Sequence, residues 1–85
     1  MKHRLRFCVT PQVAGTGTAN YLFRRLREAG AVDLVAGWAN RTVHATIVVD
    51  EAPQPGFLKA WLHDVFGSRA DDWRSEIYSS NPMTQ

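Results

Sequence analysis

Two groups of residues in this chain could do chemistry: Cys8 with His44, a thiol and an imidazole, and the glycine-containing run Val13-Ala-Gly-Thr-Gly-Thr-Ala-Asn20. A thiol beside an imidazole can become a nucleophile if the ring takes its proton. That reading needs a third group to orient His44, and none stands out; a lone cysteine on a small sheet is otherwise ordinary packing. The glycine run leads into an amphipathic segment. Backbone amides at such a helix start, aided by the helix dipole, favour an anion. Gly15, Gly17 and Thr18 would form the cradle, with Arg24 and Arg25 adding charge one turn further in. The alternative is a flexible loop in which Thr18 or Asn20 caps the helix. Gly-Thr-Gly falls well short of a dinucleotide fingerprint. His3, His44, His63 and Cys8 have no paired-ligand spacing, so neither a metal nor a cofactor is expected.

The elements that must position these residues are easier to read. Leu5, Phe7 and Val9 alternate with Arg4, Arg6 and Cys8, the pattern of a strand with one buried face, and Pro11 ends it. Ala19, Leu22, Phe23, Leu26 and Ala29 recur at helical spacing over 18–29, with Arg24, Arg25, Arg27 and Glu28 opposite and Gly30 as the stop. Val32, Leu34, Ala36 and Trp38 alternate into a turn at Asn40-Arg41, and Val43, Ala45, Ile47 and Val49 alternate out of it. A two-residue loop there would pair Trp38 with Val43, Ala36 with Ala45, Leu34 with Ile47 and Val32 with Val49, all on one face. Pro55 suits the first turn of a second helix carrying Leu58, Trp61, Leu62 and Val65 and closed by Gly67. Residues 68–72 read as polar loop. The segment 73–79 fits a strand or a helix, because Trp73 and Ile77 share a face in either, and strand is preferred. Trp38, Trp61 and Trp73 all fall on buried stripes.

The order strand, helix, strand, strand, helix, strand, with short right-handed connections, predicts an α+β fold of the ferredoxin-like kind: a four-stranded antiparallel sheet with both helices on one face. The plait is expected to span 1–80, with 81–85 as a flexible tail. Its uncovered sheet face would carry Arg4, Arg6 and Cys8, then Asp33 and Val35, then His44, Thr46 and Val48, and finally Arg74, Glu76 and Tyr78.

The same order, together with Phe23-Arg24, the later Gly37-Trp38-Ala39-Asn40 and Trp61-Leu62 in the second helix, resembles the acylphosphatases. The resemblance spans most of the chain. It implies hydrolysis of small acyl phosphates, with Arg24 holding the phosphate and Asn40 positioning the attacking water. The chain departs from the family's Gln-Gly-Val-x-Phe-Arg, reading Ala19-Asn20-Tyr21-Leu22-Phe23-Arg24, so that Asn20 stands where the loop glycine is expected. Asn40 also lies one residue nearer Trp38 than the family's asparagine does, and at a turn its tolerance of positive φ is role enough. The expectation is therefore a shared plait without the chemistry.

Composition narrows the function classes. The 85 residues are 45% hydrophobic, with three Trp and four Phe, which fits a folded globule and excludes a disordered tail. A single cysteine forms no internal disulfide and suggests a reducing, cytoplasmic setting. No apolar run approaches the ~20 residues of a membrane span, so no membrane association is expected. The net charge of +2 hides an asymmetry. Residues 1–30 hold six cations against Glu28, a net of +5, while the remainder holds four cations against seven anions, a net of −3. A basic first third suits an acidic partner. Nucleic acid is the weaker candidate, because base stacking needs exposed aromatics on central strands and Phe7 has the buried phase. The favoured expectation is a non-catalytic module binding a protein partner or a second copy of itself. Its contact residues would be Arg4, Arg6, Val35, His44, Thr46, Val48, Arg74 and Tyr78.

Overall fold

A computed structural model describes residues 2–12, 19–37 and 42–83. Its elements are β1 (His3–Pro11), α1 (Ala19–Glu28), β2 (Val32–Gly37), β3 (Thr42–Val49), α2 (Phe57–Phe66), a 3-10 segment (Gly67–Asp72) and β4 (Trp73–Pro82). The strands form one antiparallel sheet in the order β2-β3-β1-β4. The fold is α+β.

The two alternating strands at the centre make the core. Leu5 lies opposite Ile47, Phe7 opposite Ala45 and Val9 opposite Val43. All six are buried, in one cluster with Leu22 and Leu26 of α1 and Leu58, Leu62 and Phe66 of α2. Both helices thus cover the same face of the sheet. Trp61 packs edge-on against Phe7, ring centroids 5.8 Å apart. Phe66 does the same against Trp73 at 4.4 Å.

The helix ends follow their residues. Gly30, at φ 99°, ends α1. Its N–H donates to the Arg27 carbonyl and the N–H of Ala31 to that of Leu26, the paired bonds of a Schellman cap. Before α2, Pro55 lies two residues ahead of Phe57, outside the first turn where the sequence pattern places it. It is the second residue of a type II turn, in which Gly56 takes φ 82° and ψ −2° and the Phe57 N–H donates to the Gln54 carbonyl.

Several expectations are corrected. Ala36 pairs with Val43 and Gly37 with Thr42, so β2 is displaced by two residues from the expected register. Trp38 and the turn expected at Asn40-Arg41 lie outside the described residues. A slip of two preserves the faces of Leu34 and Ala36, because side chains repeat with period two. Val32 does change face. A register shift between Val32 and Val35, with Asp33 at φ 54°, sets Val32 opposite Thr46 and exposes it. Residues 67–72 form a 3-10 segment with Ala70 buried, where a loop was expected. Residues 73–82 are strand. β4 also outruns its expected end: Asn81 and Pro82 pair with Arg4 and His3, and the Met83 N–H donates to the Lys2 carbonyl. Among the described residues no helix is long and apolar enough to cross a membrane.

Candidate functional site: the open sheet face

Residues that alternate with the core point to the uncovered face. On β1 and β3, Cys8 lies opposite His44, Arg6 opposite Thr46 and Arg4 opposite Val48. On β2, Val35 lies opposite His44, and on β4, Glu76 lies opposite Cys8 and Arg74 opposite Thr10. The register between β1 and β4 shifts between Arg6 and Phe7. Tyr78 is the extra residue there, and its hydroxyl meets His44 Nδ1 at 2.8 Å across β1. The two rings are 5.7 Å apart.

Two hollows lie on this face. One, about 360 Å³, is lined by Cys8, Thr10, Thr42, His44, Arg74 and Glu76. It is internally satisfied: the Thr10 and Thr42 hydroxyls bond at 2.9 Å, and Arg74 Nη2 donates to Glu76 Oε1 at 2.8 Å. The other, about 320 Å³, is lined by Arg4, Arg6, Asp33, Asn81, Pro82 and Met83. The face also carries exposed apolar side chains: Val32 at 51%, Val35 at 61%, Val48 at 48% and Tyr78 at 52% exposure.

The chemistry open to Cys8 follows from this setting. Burial pushes its thiol pKa up, and the Glu76 carboxylate pushes it further; a backbone hydrogen bond to Glu76 and the charge of Arg74 act against both. A thiol held in its protonated form is a poor nucleophile. His44 is turned to a phenol rather than to a carboxylate, so the group that would orient and charge it as a base is not the one it has. Cys8 and His44 face each other across β1 and β3, in a setting that favours the protonated thiol.

Of the expected contact residues, Arg4, Arg6, Val35, His44, Val48, Arg74 and Tyr78 are exposed on or beside this face. Thr46 is not: it is 2% exposed. Its short side chain sits on a central strand, with Arg6 opposite it on one side and Val32 on the other. Val32 belongs to the face instead. The only signal for it is Asp33, a residue type that enters the left-handed region more readily than most.

The anion cradle expected from Gly15, Gly17 and Thr18 lies outside the described residues. Arg24 is exposed on α1. Arg25, expected beside it, is committed elsewhere: Nη2 donates to the Val65 carbonyl at 2.6 Å, and Nη1 pairs with Glu28 at 3.1 Å. It satisfies a carbonyl in the last turn of α2. Arg27 lies over the Phe23 ring, 4.9 Å from its centroid. Comparison of the chain with protein-family models, with curated proteins and with solved structures finds no match.

Proposed function

We propose that this chain is a ferredoxin-like plait that binds an acidic protein partner through its open sheet face, without catalysis. The element order and the central position of β1 and β3 support the plait. The observation that carries the binding reading is the company kept on that face: Val32, Val35, Val48 and Tyr78 stand exposed around Arg4 and Arg6. Contiguous exposed apolar side chains rimmed by charge are what a partner covers. Arg4 and Arg6, which project from that face opposite Val48 and Thr46, give the partner its sign. The protonated state favoured for Cys8 supports the non-catalytic part.

The test is affinity capture from the source cells with the wild-type chain and with Arg4→Glu/Arg6→Glu, both checked for folding by circular dichroism. The double variant should stay folded, since exposed substitutions usually shift stability by less than about 0.5 kcal/mol. It should lose the captured protein, and wild-type capture should fade as salt rises. A folded double variant that captures the same protein equally well at low salt overturns the reading. So does phosphate release from a small acyl phosphate that disappears in Arg24→Ala.

A further inference from the structure

The sheet ends in two unlike edges. β2 is six residues long and interrupted at Asp33, the usual way of making an edge unfit for pairing. β4 is ten residues long, pairs with β1 on one side, and among the described residues has no strand on the other. Its side chains face both ways. Ile77 is 44% exposed although its partner on β1, Phe7, is fully buried, so the helical layer stops short of this edge. Four residues earlier on the same face, Trp73 is buried beside a hollow of about 270 Å³ that Leu62 and Ala70 line together with the charged Lys59, Asp71 and Arg74. On the opposite face, Arg74 and Glu76 project side by side, exposed and paired with each other.

We propose that this edge pairs with a second copy of itself, the two β4 strands running antiparallel about a two-fold axis at Ser75. In that register three things match at once. Arg74 lies across from Glu76 of the other copy and Glu76 across from its Arg74, a square of alternating charges in place of two separate ion pairs. Ile77 lies across from Trp73 of the other copy, and so beside the hollow that Trp73, Leu62 and Ala70 line with Lys59 and Asp71. The backbone groups along the free side of β4 gain partners, and the two sheets become one of eight strands. A two-fold interface must be complementary to itself, and a knob, a hollow and a charge pair placed symmetrically about one residue meet that requirement. The surface is separate from the basic part of the open face, and the inference does not depend on the function proposed above.

Sedimentation equilibrium over a range of concentrations tests it. The wild-type chain should dimerise. Arg74→Glu and Glu76→Arg, made singly, each set like charges across the axis twice and should weaken the dimer about tenfold or more. The double exchange, Arg74→Glu with Glu76→Arg, restores the alternation and should bring the dimer back. If a single reversal does not fold, Ile77→Ser withdraws the knob and should weaken the dimer while the monomer remains folded. A wild-type chain that stays monomeric at every concentration overturns the proposal. So does a dimer unmoved by both reversals and by Ile77→Ser, or a double exchange that associates no better than the single ones. Association that survives Arg4→Glu/Arg6→Glu but fails in the β4 variants separates this surface from the open face.

Discussion

On the covered face of the sheet, Leu5, Phe7 and Val9 lie against Ile47, Ala45 and Val43, and two helices close over them. On the open face, the residues in between are Arg4, Arg6 and Cys8 against Val48, Thr46 and His44, and neither helix lies over them. The same two strands supply both sets, one residue out of phase. The covered face is specified redundantly, because any substitution that keeps the alternation keeps the apolar side inside. The open face has no such constraint, so its mixture of guanidinium, imidazole and exposed valine is left to be set by something other than folding.

The sharpest way to break this comparison is to exchange the fates of the two faces. Phe7→Ala removes a fully buried ring that also holds Trp61, and should cost about 3 to 5 kcal/mol in chemical denaturation. Trp61→Ala, from a partly buried position, should cost less. Tyr78→Phe, on the open face, should change stability by under about 0.5 kcal/mol, since the hydrogen bond it loses is exposed. Equal costs at Phe7 and Tyr78 would mean that the open face is also part of the folding core.

A smaller effect separates the arginines of α1, which charge alone cannot tell apart. Arg25→Ala should lose about 1 kcal/mol, because the Val65 carbonyl at the end of α2 is left without its donor. Arg24→Ala should be close to neutral in the same denaturation. Matching values for the two would remove the structural role assigned to Arg25.

The covered face was legible in the sequence because burial repeats with the geometry of its elements: every second residue of β1 and β3, every third or fourth of α1 and α2. What that pattern lacks is any record of absolute register. A shift of two residues along β2 leaves Leu34 and Ala36 on the same side, so alternation alone cannot separate a pairing of Ala36 with Ala45 from its pairing with Val43. The Val32 face was lost for another reason: a single residue in the left-handed region, Asp33, ends the alternation without altering the apolar pattern. Thr46 failed as a contact residue because exposure on a sheet depends on the neighbours across the ladder as well as on phase. The cradle around Gly15 and Gly17 and the turn at Asn40 fall outside the described residues, so the resemblance to acylphosphatases rests on the same residues as before.

The smallest expected effect concerns the thiol, where the open face meets the core at Cys8. Burial is the larger cause of its raised pKa and the Glu76 carboxylate the second. A pKa raised by folding means that the folded chain favours the thiol over the thiolate. The associated stability is present below the unfolded-state pKa and lost as pH rises through the folded one. Alkylation of Cys8 by iodoacetamide should therefore need a higher pH than alkylation of a free thiol such as glutathione. Glu76→Gln removes the second cause and leaves the first, so its rate profile should move toward lower pH without reaching that of the free thiol. Loss of stability on the alkaline side should likewise be gentler in Cys8→Ala than in the wild type. A wild-type profile coincident with the free thiol, or displaced to its acid side, would make Cys8 an activated nucleophile and reopen the open face to chemistry. A profile that Glu76→Gln does not move would leave burial as the whole cause, and the thiol would then belong to the covered side of the comparison.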